Sequence, residues 1–288
     1  MRRGLGVATA VVAMASVGCG GEGDEEDWAG LVAGGTPPAT PYDGPLYVPG
    51  EEPEVYTLEA VRTAAGAAGR ALECDGEIYS GGGSGSWGKS DGGRTPEEGL
   101  RAFFDMEQAD DPRHGYRVER EEADRVLFSF DVDGRTKVAV VVAKDQKGRP
   151  GWGPESNATC DPAELPASFT ESKPYEIWTD RNGDRVPLAE VSSHAGDAHC
   201  GWETARFLSM GHYEDDRTYA RDPDGVLGSD LLTAPYDGEA ALPEGARDTG
   251  FRFGDRQLWL TDDPSKVYVR ASGGVEAWPL VKDGMGCR

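Results

Sequence analysis

Residues 125–143 read RVLFSFDVDGRTKVAVVVA, and this stretch limits the architecture more than any other. Val126, Phe128 and Phe130 share one face of an extended segment, and Leu127 points the opposite way. The run stops at Asp133-Gly134, a pair that readily adopts the positive φ a tight hairpin turn needs. Thr136 to Ala143 then returns as a second strand rich in β-branched residues. Two strands joined by so short a turn lie antiparallel. Tyr116 to Arg120 and a strand opening at Trp152 and running toward Cys160 extend the pair into a meander.

Two helical stretches precede the meander. Thr57 to Leu72 is Ala-rich and sets Leu58, Val61, Ala65, Ala68 and Leu72 near one face. After a Gly- and Ser-rich loop over Ser80 to Gly93, a second helix has a clear start. Thr95 is its cap, Pro96 suits the first helical position and Glu98 completes a capping box. Leu100, Phe103 and Phe104 form its buried face, and Asp110, Asp111, Pro112 and Gly115 end it. Helices followed by an antiparallel meander predict one sheet with helices on one of its faces.

Pro162, Pro166 and Pro174 mark a boundary, so residues 54–165 are read as an α+β module and residues 166–288 as a β-rich one. In the second module Tyr175 to Thr179 and Arg185 to Val191 flank the turn signal Arg181-Asn182-Gly183-Asp184. Thr204 to Met210 is of ambiguous type, and Thr218 to Arg221 is a short strand. Gln257 to Thr261, Lys266 to Ala271 and Val275 to Val281 read as three further strands. The fold class is therefore α+β in two small modules, the first with helices packed on an antiparallel sheet.

Residues 1–20 read MRRGLGVATAVVAMASVGCG. A basic head, an apolar run too short for the roughly 20 residues of a membrane span, and small residues before a cysteine make the layout of a bacterial export signal. Ser16-Val17-Gly18-Cys19 resembles a lipobox, with Ser16 standing where Leu is usual. The resemblance implies a signal peptide over residues 1–19, with Cys19 as the lipidated residue and membrane anchor. The rival is plain secretion by cleavage after Ala15, at Ala13-Met14-Ala15. Cysteine arithmetic favours the anchor, because the chain has five cysteines and lipidation of Cys19 leaves an even set.

That set is Cys74, Cys160, Cys200 and Cys287, and an exported chain favours two disulfides. Three pairings exist; Cys74 with Cys160 and Cys200 with Cys287 is preferred because each pair brackets one module. Residues 20–53, rich in Gly, Pro and acidic side chains, read as a disordered tether to which Trp28 and Tyr47 are the only candidates for docking. The whole resembles uncharacterised lipoproteins of actinobacterial envelopes, with HCGWE, YARDPDGVL, ARDTGFR and EAWP carrying the likeness of the last third. The resemblance implies a location on the extracytoplasmic face of the cell membrane and no particular activity.

A formal net charge of −23 argues against a nucleic-acid partner. Residues 83–90, GSGSWGKS, match a phosphate-loop pattern, and Gly88 to Gly92 match a nucleophile elbow. Both motifs need a buried strand before them and a helix directly after them. Here Asp91-Gly92-Gly93-Arg94-Thr95-Pro96 follows, so no nucleotide is expected. His194, His199, Cys200 and His212 can be drawn as a metal cluster, but an oxidised Cys200 offers no thiolate. Asp180, Asn182 and Asp184 begin like a calcium loop that then fails at Val191, where its last carboxylate ligand would stand. Asn157-Ala158-Thr159 is a glycosylation sequon, expected to be silent in a bacterial protein. No cofactor or metal is expected. Trp152, Trp178, Trp202, Trp259 and Trp278 lie in or beside strands, as core or as a binding face. The leading expectation is a non-enzymatic envelope protein that binds another protein or a ligand. The alternative is an envelope hydrolase using His199 or His212 with acidic residues of the second module.

Overall fold

The computed structural model describes residues 28, 30–34, 38–49, 57–81, 88–211, 216–228 and 230–282. Cys19, His212 and Cys287 lie outside the described residues. The first half contains α1 (Leu58–Ala64), α2 (Gly66–Ala71), β1 (Ile78–Gly81), α3 (Pro96–Glu107), β2 (Arg117–Glu121), β3 (Arg125–Val132), β4 (Arg135–Lys144) and β5 (Trp152–Cys160). The strands form one antiparallel sheet in the order β1-β5-β4-β3-β2. The β3–β4 hairpin turns at Asp133 and Gly134, both at positive φ.

Helices cover both faces of this sheet rather than the one expected. Val138, Val140 and Val142 of β4 face α3 through Leu100, Phe103 and Phe104. Ala139 and Val141 face α2 through Ala67, Ala68 and Ala71. The cause is legible in the strand: Val138 to Ala143 is apolar at every position, so neither face can be left to water. The single helix expected over Thr57 to Leu72 is broken at Gly66, whose φ is +62°. A side chain there would meet the Val48 carbonyl at 3.0 Å. At α3 the Thr95 hydroxyl accepts from the Glu98 N–H at 3.2 Å. The Glu98 carboxylate reaches back one residue further, to the N–H of Arg94.

Within residues 20–53, the described residues 28, 30–34 and 38–49 include several that pack on the first half. Leu31 is buried on the α3 face of the sheet and Leu46 on the opposite face. Between them the chain passes around the β2 edge. Val32 bridges Tyr116 in parallel, and the Tyr42 and Leu46 N–H groups donate to the carboxylates of Glu119 and Glu122. This strap covers an edge strand that would otherwise offer unpaired backbone groups to other chains.

The described chain as a whole is more β-rich than the α+β class expected of it. The second half holds two four-stranded antiparallel sheets, so the chain has three sheets in all among the described residues. One is β6 (Tyr175–Ile177), β7 (Val191–Ala195), β8 (Arg206–Met210) and β9 (Arg217–Arg221). The other is β10 (Arg247–Phe253), β11 (Arg256–Leu260), β12 (Lys266–Ala271) and β13 (Gly274–Pro279). They share one core built on Trp178, Leu208, Tyr219, Leu258, Val267 and Trp278. Single bridges, Thr179–Arg252 and Tyr219–Leu280, join their margins without making a continuous barrel.

Two strand expectations change here. Arg185 to Val191 is not a strand: after one bridge from Arg185 to Thr179 the chain turns at Pro187, and β7 starts only at Val191. Strand β10 was not expected. Its apolar residues are interrupted by Gly250 at φ +94°, where the register with β11 shifts, so no two-residue period runs through it. Leu165 and Phe169, on either side of the 165/166 boundary, both pack into the core under α3.

Candidate functional site

Where the two halves meet, the turn before β1 faces the turn before β7. Each turn is held from below by a carboxylate, the half-buried Glu164 under one and the buried Asp161 under the other. Cys74 is disulfide-bonded to Cys160 at the end of β5, with Cα atoms 5.3 Å apart, which fixes the start of the first turn. The Glu164 carboxylate then accepts from the N–H groups of Asp75 and Gly76 and pairs with Lys137, which is almost fully buried. On the other side Asp161, itself fully buried, accepts from the N–H groups of Ala163 and Leu188 and from the Tyr79 hydroxyl at 3.3 Å. Burial raises the Asp161 carboxyl above its ordinary value, and the two N–H donors only partly offset that. Burial, followed by the Asp161 charge, pushes the Tyr79 hydroxyl up as well. Arg185 adds a donor to the Leu165 carbonyl and another to the Thr170 hydroxyl.

These supports leave an open cleft of about 520 Å³. Leu58 of α1, Gly76 and Glu77 line one wall. Pro187, Ala189, Glu190, Met210, Gly211 and Phe251 line the other. The surface is mainly apolar, with the carboxylates of Glu77 and Glu190 as its charged groups. Hydrophobic clefts between structural units are where small ligands and peptide segments usually bind. No described residue of the cleft is a histidine, a serine or a cysteine, and Glu77 and Glu190 are its titratable groups.

Two charge clusters lie where the paired sheets meet, one on β6 and one on β13. The Trp178 indole N–H donates to Ser193 Oγ at 2.9 Å, and Ser193 donates to Glu176. Glu176 also pairs with Arg206 and Arg256. In the other sheet the Trp278 indole N–H donates to Glu276 at 2.8 Å, and Arg221 binds the same carboxylate through two hydrogen bonds. Burial, then Glu276, pushes the Tyr236 hydroxyl up to about 12. Each cluster joins strands of both sheets, Glu176 to Arg256 in one and Glu276 to Arg221 in the other. Their geometry closes the core with charge pairs. Sequence reasoning named both tryptophans and missed the glutamates; the signal was the repeated tripeptide Glu-x-Trp, at 176–178 and 276–278.

The remaining sequence candidates are dispersed. Cys200 is a disulfide cysteine, and its expected partner Cys287 lies outside the described residues. Asp197, His199 and Cys200 come within 4.8 Å of one another, but the sulfur is not a thiolate available to a metal. His194 stacks on Phe207 at 5.4 Å, and its Nδ1 lies 2.8 Å from the Ala195 carbonyl. Gly88 to Asp91 form a turn closed by the Asp91 carboxylate, and α3 begins only at Pro96. Residues 82–87 of that loop lie outside the described residues. Asp180 accepts from the N–H groups of Asn182 and Asp184, its own turn. Trp152, Trp178 and Trp278 are core residues rather than a binding face. No protein-family model, no curated protein and no solved structure matches this chain.

Proposed function

We propose that this chain is a lipid-anchored protein of the extracytoplasmic face of a bacterial membrane, held through Cys19, that binds a partner or ligand without catalysing a reaction. The observation that carries the binding part is the apolar cleft between the halves, rigidly framed by the Cys74–Cys160 disulfide and by Asp161 and Glu164. The anchor part rests on the export signal and on the cysteine count. No described helix is long and apolar enough to cross a membrane. Gentle crosslinking in intact envelopes, followed by recovery of the protein, tests the reading. Ala189→Trp fills the cleft without touching Asp161 or Glu164. It is expected to lower recovery of a co-purifying species by about tenfold, equivalent to about 1.4 kcal/mol of binding free energy. Equal recovery with both proteins, or recovery of nothing with the wild type, sinks the cleft as a binding site.

A further inference from the structure

The docked strap changes how far the body can stand from its anchor. This inference rests on the reading of Cys19 as the lipidated residue. Had the whole stretch 20–53 been a free tether, it would reach about 110 Å when extended, enough for any orientation of the body. Trp28 is instead already fastened. Its ring packs on Phe104 with centroids 6.0 Å apart, and the Arg113 guanidinium covers it at 4.5 Å. The Trp28 carbonyl accepts from the Leu31 N–H, and the Gly30 carbonyl accepts from the Gly115 N–H at 2.8 Å. Leu31 is buried. The chain is therefore fastened to the body at Trp28, and Gly20 to Asp27 separate that point from Cys19.

Nine peptide steps span at most about 30 Å. A globular body of this chain length is about 45 Å across. A leash shorter than the body confines it: the side opposite the attachment point cannot turn to the bilayer, because that would lift the attachment point by the full width of the body. We infer that the corner of the first half around Trp28, with the outer surface of α3, is the face this protein turns to the membrane that holds it. At this corner the half-buried Trp28 indole lies under the guanidinium groups of Arg101 and Arg113, Arg113 pairs with Asp105, and α3 also carries Glu97, Glu98 and Glu107, so the orientation is set by the leash rather than by charge.

Energy transfer on the acylated full-length protein in vesicles carrying a headgroup acceptor tests this. A donor is placed at Asp105→Cys, on the exposed side of α3 near Arg113, or at Gly273→Cys, in the β12–β13 turn where an added Cβ meets nothing within 4 Å. Transfer from the first site is expected to exceed that from the second by at least about twofold, because the leash is shorter than the body. Inserting a long Gly/Ser segment between Glu26 and Asp27 is expected to abolish the difference. Intact mass of the mature N-terminus is measured on the same preparation. Acylated Cys19 with equal transfer from both sites overturns the orientation alone. An unmodified Cys19 overturns the anchor reading and the orientation with it.

Discussion

The sheet of the first half carries apolar side chains on both faces and is covered by helices on both, whereas the paired sheets of the second half share one apolar layer between them. The first arrangement buries every residue of Val138 to Ala143. It adds a disulfide and a strap that ties Leu31 to one face and Leu46 to the other. The second arrangement turns alternate strand residues to the shared layer, and a smaller apolar cluster of Ala205, Ala220, Leu227, Leu231 and Leu232 covers the other side of β8 and β9. Its ends and margins are closed by charge pairs: Glu176 with Arg206 and Arg256, Glu276 with Arg221, Asp248 with Arg252. The difference teaches that one chain can reach stability by two routes. One covers both faces of a single sheet with helices, and the other packs two sheets on each other and ties their margins with charge pairs.

The comparison can be broken from its heavy side first. Phe104 is fully buried and touches Trp28, Phe103 and Tyr116. Phe104→Ala is expected to cost about 4 kcal/mol of unfolding free energy, read from a denaturant midpoint. A cost below about 1 kcal/mol would mean that the α3 face is not the main core of the first half. Replacing both Cys74 and Cys160 by Ser removes a crosslink with a sequence separation of 86. The expected loss is about 3 kcal/mol, with the cleft wall at Gly76 and Glu77 loosening together with it; amide exchange at those two residues reports the loosening. Unchanged protection there would separate the disulfide from the cleft.

The smallest effect sharpens the contrast. The Arg252 guanidinium, opposed by partial burial and helped by the Gly250 N–H, holds the Asp248 carboxyl down at about 2. A carboxyl depressed in the folded state stabilises above its unfolded value near 4, and the stabilisation is lost as pH falls from there through about 2. The side chain is 22% exposed, so solvent screening limits the contribution to about 1–2 kcal/mol. Tryptophan fluorescence under acid titration is expected to show Asp248→Asn less stable than the wild type at neutral pH and level with it near pH 2, on the order of the folded value. A parallel pH profile for the two proteins would remove Asp248 from the account.

The sequence by itself determined the local pieces. Asp133-Gly134 dictated the central hairpin, and Thr95-Pro96 with Glu98 dictated the start of α3. The last three strands were legible because alternation and turn residues agree within each. Such signals act over a few residues and need nothing from elsewhere in the chain. Only the tertiary structure decided which surfaces those pieces cover. Residues 28–48 look like linker because Gly and Pro dominate them, yet two leucines and two backbone N–H groups find partners on β2 and its flanks. Strand β10 forms despite a broken period because β11 supplies its ladder. The cleft is assembled from turns more than a hundred residues apart, and the two Glu-x-Trp tripeptides meet their arginines only when the sheets close on each other. Long-range contacts of this kind depend on burial and on hydrogen-bond satisfaction across the whole molecule, and no short window of sequence carries either.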